Sequence, residues 1–265
     1  MAAAIVVTIG LGNPLGRSTG DRFFPHSVTV GSVTVQTATD DPTARATALE
    51  LDTYLQRLAR GMGVAAPEAT VRILPSQSVY ARFCRRHLPG FDGRMEFCYS
   101  TTDRIAYGYH DGGKEIAGRL RHELFHHFVN ERLPGMALWA NEGGAELMES
   151  FALNENGQLT SDGLVQNRRM QGAARHVARS QRPELNDLPR LTARDFYGRS
   201  GDTCYSLSYA VLLYLHRQGR VFEALRGGSA SVDREDFKGF ATAPKRWSAP
   251  VSADGGSTVL RLKRM

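Results

Sequence analysis

The sequence predicts an α+β fold, in which a small mixed or antiparallel β-sheet packs on one buried helix and a mostly helical C-terminal lobe follows. Alternating β-branched and polar residues in the first half, as in 27–36, are typical of strands. Apolar residues at helical spacing dominate much of the second half, as in 203–217. Between these parts, residues 116–129 carry an apolar pattern of helical period, which indicates that this central helix is buried.

The predicted elements of the first half alternate between strands and helices. Residues 27–36 are typical of a half-buried strand or a tight hairpin. Asp40-Asp41-Pro42 is a plausible helix start, apolar residues at helical spacing continue to Arg60, and Gly61-Met62-Gly63 ends the helix. The further elements, in order, are a strand at 70–74, a helix at 76–86, and two strands at 93–99 and 104–109 joined around Thr102-Asp103.

The second half contains helices separated by polar or breaking segments. Pro134-Gly135 predicts a turn after the central helix, and a second short helix can begin near Asn141. The remaining elements are a polar loop at 154–162, a basic helix at 165–179, a break at 181–188 and a helix at 203–217.

We interpret residues 27–226 as a single domain, with an α/β part to about residue 130 and a helical part at 131–226. A chain of 265 residues is long enough to bury one sizeable core. The Gly-rich residues 1–26 are expected to form an arm or loop. Residues 227–265, rich in Gly, Ser and basic residues, are expected to form a loosely ordered tail with a short helix near 235–240.

The central helix carries the pentad His-Glu-x-x-His at His122, Glu123 and His126. Four residues separate the two histidines, so a helix places them on one face, one turn apart. Two imidazoles at this spacing can bind one zinc ion at ~2.0–2.1 Å. Glu123 then lies beside the metal, where its carboxylate can accept a proton from a zinc-activated water. The alternative is an amphipathic helix whose polar residues match the pattern by coincidence.

Glu142 is the candidate third ligand, because two antiparallel helices would bring it back over the histidines. Glu146 lies four residues later on the same helical face and could accept the second ring N–H of a zinc-bound histidine. An exposed helix glutamate is the alternative for Glu146. His127 points about 100° away from its neighbour, and we expect it to pack in the core or face solvent rather than bind metal.

These residues resemble those of the gluzincin metallopeptidases, especially the small peptidase MA-like domains, which carry His-Glu-Leu-x-His and then Pro-x-Trp-x-x-Glu-Gly-x-Ala-Glu. The chain reads His122-Glu123-Leu124-Phe125-His126, then Leu133-Pro134, then Trp139-Ala140-Asn141-Glu142-Gly143-Gly144-Ala145-Glu146. The resemblance implies a zincin-like fold, one Zn²⁺ per chain on His122, His126 and Glu142, and Glu123 as general base. The spacing from Pro134 to Trp139 is longer than usual, and Gly144 replaces a larger apolar residue. Neither departure changes a ligand.

The helix at 203–217 looks like the tyrosine-bearing helix that lies behind the cleft in this family. A phenol there could donate to the oxyanion of a tetrahedral intermediate, with Tyr205 as first choice and Tyr209 as second. Tyrosines packed at the core edge are the alternative. Residues 93–97 resemble the aminopeptidase motif Gly-x-Met-Glu-Asn without its asparagine, so the expected activity is that of an endopeptidase acting on peptides or proteins.

Composition argues against several other partners. The net charge of +6 is spread along the chain without interleaved aromatic residues, so we expect no specific nucleic-acid binding. No apolar run of about 18 residues predicts a membrane span. The first ten residues lack a basic n-region and make a poor secretory signal, which leaves the compartment open, with the cell envelope and secretion as alternatives. Cys84, Cys98 and Cys204 permit either a Cys84–Cys98 disulfide or three free thiols.

The sequence leaves three classes of function. The first is a zinc-dependent peptide-bond hydrolase, in which zinc polarises the carbonyl and Glu123 moves the proton. The second is a catalytically inactive zinc-containing domain that binds peptides or has a structural role. The third is a basic nucleic-acid-binding domain with a coincidental pentad, which ranks well below the others.

Overall fold

A computed structural model describes residues 23–88, 90–91, 95–110, 116–160, 168–179, 185–198 and 201–226. The predicted tail at 227–265 lies outside these residues, as do the first 22 residues of the predicted N-terminal arm. At the end of that arm, Phe24 is buried in the core and packs edge-on against Phe83, with ring centroids 5.4 Å apart. The first strand begins at His26, one residue before the predicted strand.

The described residues form an α+β fold with a five-stranded mixed sheet, which confirms the predicted fold class. The strands are β1 (His26–Val30), β2 (Val33–Thr37), β3 (Ala69–Leu74), β4 (Cys98–Ser100) and β5 (Ile105–Tyr109). Their spatial order is β1-β2-β3-β5-β4. The central pairs β2–β3 and β3–β5 are parallel, and the outer pairs β1–β2 and β5–β4 are antiparallel. Strand β4 is therefore an edge strand.

A tight hairpin joins β1 to β2, one of the two arrangements that the alternating pattern predicted. Gly31 adopts a φ of 54°, the left-handed region in which glycine carries no steric penalty. The neighbouring Ser32 donates from both its backbone N–H and its hydroxyl to Asp52, each at 2.8 Å. Asp52 lies on the first helix, so these bonds fix the hairpin on that helix.

Eight α-helices complete the described part of the chain. They are α1 (Ala44–Met62), α2 (Gln77–His87), α3 (Ala117–Arg132), α4 (Leu138–Ser150), α5 (Arg168–Ala178), α6 (Ala193–Tyr197), α7 (Gly201–Arg217) and α8 (Val221–Leu225). A 3-10 helix at Leu185–Arg190 precedes α6. Helix α3 packs against β3, β4, β5 and α1, while α4 lies between α3 and α7. The central helix thus joins the sheet to the helical lobe.

Several boundaries and elements differ from the sequence predictions. Helix α4 begins at Leu138 rather than near Asn141, because the backbone N–H groups of Ala140 and Asn141 both donate to the Ala137 carbonyl at 3.0 Å. Strand β4 begins only at Cys98; Phe97, just before it, packs its ring against Tyr109 instead of extending the strand. Helices α6 and α8 were not predicted, since five residues carry too little periodicity to be recognised.

The hydrophobic core runs from the sheet across α3 into α4 and α7. The three cysteines are free thiols and all are buried, so Cys84 and Cys98 do not form the disulfide that the sequence permitted. No helix in the described ranges is long and apolar enough to cross a membrane.

Candidate metal centre

Helix α3 places His122 and His126 side by side in the interior. Their ring centroids are 4.9 Å apart, as expected for residues one helical turn apart. They are only 3% and 2% exposed, because apolar residues on the flanking faces of α3 bury the helix on most sides. The pentad therefore lies on a buried helix, as its apolar surroundings predicted.

Helix α4 brings Glu142 onto the histidines because two glycines let it approach its neighbours closely. A Cβ on Gly144 would lie 2.5 Å from the Phe125 ring of α3, and a Cβ on Gly143 would lie 2.7 Å from the Ser208 backbone of α7. Glu142 is consequently fully buried. One ligand atom each from His122, His126 and Glu142 lie within 4.8 Å of one another.

The donor atoms of this group fit a cation. Within the described part of the chain, Nε2 of His122, Nε2 of His126 and Oε2 of Glu142 are buried and have no hydrogen-bond partner. Leaving such atoms unsatisfied is costly, and a bound cation would remove that cost. The distance from His126 Nε2 to Glu142 Oε2 is 3.6 Å. Ligands on a tetrahedral zinc are ~3.3 Å apart for bonds of ~2.0–2.1 Å, so little movement would be needed.

A polar atom lies beside the other nitrogen of each histidine. Nδ1 of His126 donates to the Asn141 side-chain oxygen at 2.9 Å. Nδ1 of His122 lies 3.2 Å from Oε2 of Glu149. Both contacts leave Nε2 of the ring without a hydrogen-bond partner among the described residues, the arrangement that outer partners of metal-binding histidines usually give.

Glu149 occupies the place that the helical spacing had assigned to Glu146. The two carboxylate oxygens of Glu146 instead accept from Arg169, at 2.7 and 2.9 Å. The Arg169 guanidinium also lies 4.8 Å from the centroid of the Tyr205 ring. This cation on α5 was not visible from the spacing on α4, and it engages both oxygens of Glu146, although one of them lies within 4.8 Å of a His122 nitrogen.

Glu123 lies between the histidines and the edge strand β4, and it is 2% exposed. Burial raises the pKa of Glu123 to about 8; His122 opposes this rise, and the carboxylates of Glu142 and Glu149 reinforce it. The Tyr99 backbone N–H, on β4, donates to the carboxylate and lowers the pKa in part. A carboxyl group with a pKa near neutrality can both accept and release a proton.

The other residues of the group also have strongly shifted pKa values. Burial lowers the pKa of His122, but the hydrogen bond to Glu149 and the charge of Glu123 outweigh it and raise the pKa to about 10. Burial and the neighbouring His122 lower the pKa of His126 to about 3. Burial raises the pKa of Glu142 to about 7, although His122 and Tyr197 oppose the rise. Clusters of shifted pKa values are typical of functional sites.

The tyrosines of α7 have different positions. Tyr205 is fully buried, packs edge-on against Phe196, and forms a side-chain hydrogen bond with Glu142. Tyr209, one turn later, is buried in the hydrophobic core. The proposed oxyanion role of either phenol stays a prediction.

A further contact to the metal group comes from Tyr197, whose hydroxyl donates to Oε1 of Glu142 at 2.6 Å. Sequence reasoning missed it, because no spacing pattern links two residues that are 55 positions apart. His127 lies outside the group, as expected. Its Nε2 donates to the Glu68 carbonyl at 2.8 Å and its Nδ1 accepts from the Tyr99 hydroxyl at 3.3 Å.

No protein-family model matches this chain, and no curated protein matches it. The resemblance to gluzincins therefore depends on the residues quoted above. What the structure adds is the convergence of His122, His126 and Glu142 from two helices into one possible metal-binding group.

Proposed function

We propose that this protein is a zinc-dependent peptide-bond hydrolase of the gluzincin type. One observation carries the proposal: three buried ligand atoms without partners, from His122, His126 and Glu142, converge beside the carboxylate of Glu123. Two imidazoles and one carboxylate are a donor set that zinc takes in hydrolases. When bound, zinc supplies Lewis acidity and brings the pKa of water to ~7.

The residues around the group have separate roles in this proposal. His122, His126 and Glu142 hold the ion, while Asn141 and Glu149 orient the two rings. Glu123 accepts the proton of the attacking water at a carboxylate oxygen and transfers it to the nitrogen of the leaving amine. Its position beside Tyr99 suits a substrate peptide that runs along the edge strand β4. A phenol, from Tyr205 or Tyr209, would stabilise the oxyanion.

The first test is a Glu123→Gln variant. Gln keeps the size of the side chain and cannot take up the proton, so zinc should stay at one ion per chain while hydrolysis falls by ~10²–10⁴-fold. Elemental analysis measures the zinc, and digestion of a broad peptide library measures hydrolysis. A His126→Ala control should lose the metal. Full activity of the Glu123→Gln variant would contradict the role of Glu123.

A second candidate is a catalytically inactive zinc-containing domain that binds peptides or has a structural role. The near-complete burial of His122, Glu123, His126 and Glu142 favours it, since structural zinc sites are closed. The same measurements separate the two candidates. Stoichiometric zinc in a wild-type protein that cleaves no peptide of the library would support the inactive domain. A protein without zinc would contradict both.

A further inference from the structure

The two oxygens of Glu142 have different environments. Oε1 accepts a hydrogen bond of 2.6 Å from the Tyr197 hydroxyl. Oε2 has no hydrogen-bond partner among the residues that the structure describes, and it lies 3.6 Å from Nε2 of His126. One oxygen is therefore already engaged, and the other faces the histidines.

Tyr197 is held in place by its own helix as well as by its bond to Glu142. The short helix α6 begins with a reciprocal cap, in which the Thr192 hydroxyl accepts from the Asp195 backbone N–H and the Asp195 carboxylate accepts from the Thr192 backbone N–H. Phe196, fully buried, packs edge-on against Tyr205 and anchors the helix. The Tyr197 ring, half-buried, packs at 76° against Phe196. The phenol is thus positioned before any cation binds.

A carboxylate can bind a cation through one oxygen or through both. A donor fixed on one oxygen withdraws that oxygen from the metal, because its lone pairs are directed to the O–H group. We propose that Tyr197 is a positioning residue that restricts Glu142 to coordination through Oε2 alone. This inference rests on the proposed zinc site. With Glu142 bound through one oxygen, the three protein ligands leave a further coordination position on the metal open. A carboxylate bound through both oxygens would occupy that position.

Tyr205 has a supporting part in the same arrangement. It also forms a side-chain hydrogen bond with Glu142, and its ring lies beside that of Tyr197, with centroids 6.4 Å apart. Two phenols on one buried carboxylate stabilise its ionised form and hold its plane. Removal of one phenol should therefore hold the Glu142 carboxylate less firmly, and removal of both phenols should loosen it further.

The test is a Tyr197→Phe variant, which keeps the ring against Phe196 and removes only the hydroxyl. We expect the affinity for zinc to fall by ~10–100-fold, the usual effect of losing an outer partner of a metal ligand. Competition with a chromogenic chelator measures this affinity. With Co²⁺ in place of zinc, we expect weaker visible d–d bands in the variant, because coordination through both oxygens raises the coordination number.

A Tyr54→Phe variant is the matched control. Tyr54 is a buried tyrosine of α1 whose hydroxyl has no hydrogen-bond partner in the described ranges. Its removal should leave the zinc affinity and the Co²⁺ spectrum unchanged. Circular dichroism of the zinc-free proteins checks that each variant folds. If Tyr197→Phe does not fold, a fluorinated tyrosine at position 197 keeps ring and hydroxyl, and its lower phenol pKa should shift the Co²⁺ spectrum.

The outcomes separate this inference from the proposed function. A wild-type protein that binds zinc, together with a Tyr197→Phe variant of equal zinc affinity and identical Co²⁺ spectrum, would overturn the role of Tyr197 alone. A wild-type protein that binds no zinc would overturn the metal site, and the inference with it. Loss of affinity and a changed spectrum in Tyr197→Phe, without either change in Tyr54→Phe, would support the inference.

Discussion

At the scale of single residues, Glu146 and Glu149 show how a nearby cation decides the role of a carboxylate. Both lie on α4 and both have oxygens within 4.8 Å of a His122 nitrogen. Arg169 engages both oxygens of Glu146, whereas Glu149 has an oxygen 3.2 Å from Nδ1 of His122. Spacing along a helix identifies candidates for such a role, and Arg169 on helix α5 decides which of them remains available.

We predict that Glu149→Ala lowers the zinc affinity by ~10–100-fold, because His122 loses the partner that fixes its tautomer. Glu146→Ala should lower it less and should mainly destabilise the fold, since Arg169 then keeps only its longer ion pair, with Asp202. Glu131→Ala, which removes an ion pair with Arg104 outside the metal group, is the control. Isothermal titration calorimetry measures the zinc affinity of all three variants. A larger loss in Glu146→Ala than in Glu149→Ala would contradict this assignment.

The residues that a local pattern could identify were those on α3 and α4. His122, Glu123 and His126 fall within five positions, and Glu142 lies in a second short motif, so the sequence alone pointed to them. Arg169 lies 23 positions from its partner Glu146, and Tyr197 lies 55 positions from Glu142. Such contacts depend on how the helices pack, and the apolar periodicity of the sequence does not predict them.

At the scale of elements, the position of α4 depends on glycines that would be poor choices in an isolated helix. Glycine costs about 1 kcal/mol relative to alanine in a helix interior. Gly143 and Gly144 recover that cost by letting α4 lie close to α7 and α3. In the sequence, Gly144 was a departure from the family pattern. In the structure it is the point of contact with Phe125.

Gly143→Ala should destabilise the protein by about 1–3 kcal/mol, despite the better helix propensity of alanine. The new Cβ would lie 2.7 Å from the Ser208 backbone, which cannot move aside as a flexible side chain can. Urea unfolding of the zinc-free protein measures the change. Gly201→Ala is the control, because its Cβ would lie 3.5 Å from the Phe196 carbonyl in ordinary contact. A stabilised Gly143→Ala protein would contradict the close packing of α4 and α7.

Element boundaries were harder to predict than the elements themselves. The apolar period correctly placed α1, α3 and α7 because each spans four turns or more and buries a face. Helix α6 has only five residues. Its stability comes from a local polar contact, the cap, and from the tertiary packing of Phe196, and neither produces an apolar period in the sequence. It is nevertheless the element that carries Tyr197 to Glu142.

At the scale of the whole molecule, a buried histidine far along the chain makes stability depend on pH. His216, near the end of α7, packs edge-on against Phe151 with ring centroids 5.7 Å apart. Burial, with a smaller effect of the Arg217 charge, lowers the pKa of His216 to about 4. An unfolded histidine has a pKa of about 6.5. The folded state therefore favours the neutral form of His216 more than the unfolded state does.

The sign of the effect follows from these two pKa values. Above pH 6.5 the His216 ring is neutral in both the folded and the unfolded state, and His216 makes its full contribution to the free energy of unfolding. As the pH falls from about 6.5 to about 4, the unfolded chain takes up the proton first, so up to about 3 kcal/mol of stability is lost.

His216→Leu should remove this part of the pH dependence. We expect the difference in unfolding free energy between pH 7 and pH 4.5 to be smaller in the variant than in the wild type. Urea titrations in the presence of a chelator measure it, so that metal binding does not contribute. Equal pH dependence in the two proteins would show that another group titrates instead.

The distance of 55 positions between Glu142 and Tyr197 also has a consequence for the order of events on the ribosome. All three ligands leave the exit tunnel long before the phenol that restrains one of them, and before the Ser208 backbone against which α4 rests. A nascent chain thus presents the candidate metal group while its geometry is still unrestrained. If the group holds zinc as proposed, we expect the ion to be captured in its final geometry only after translation has passed α7.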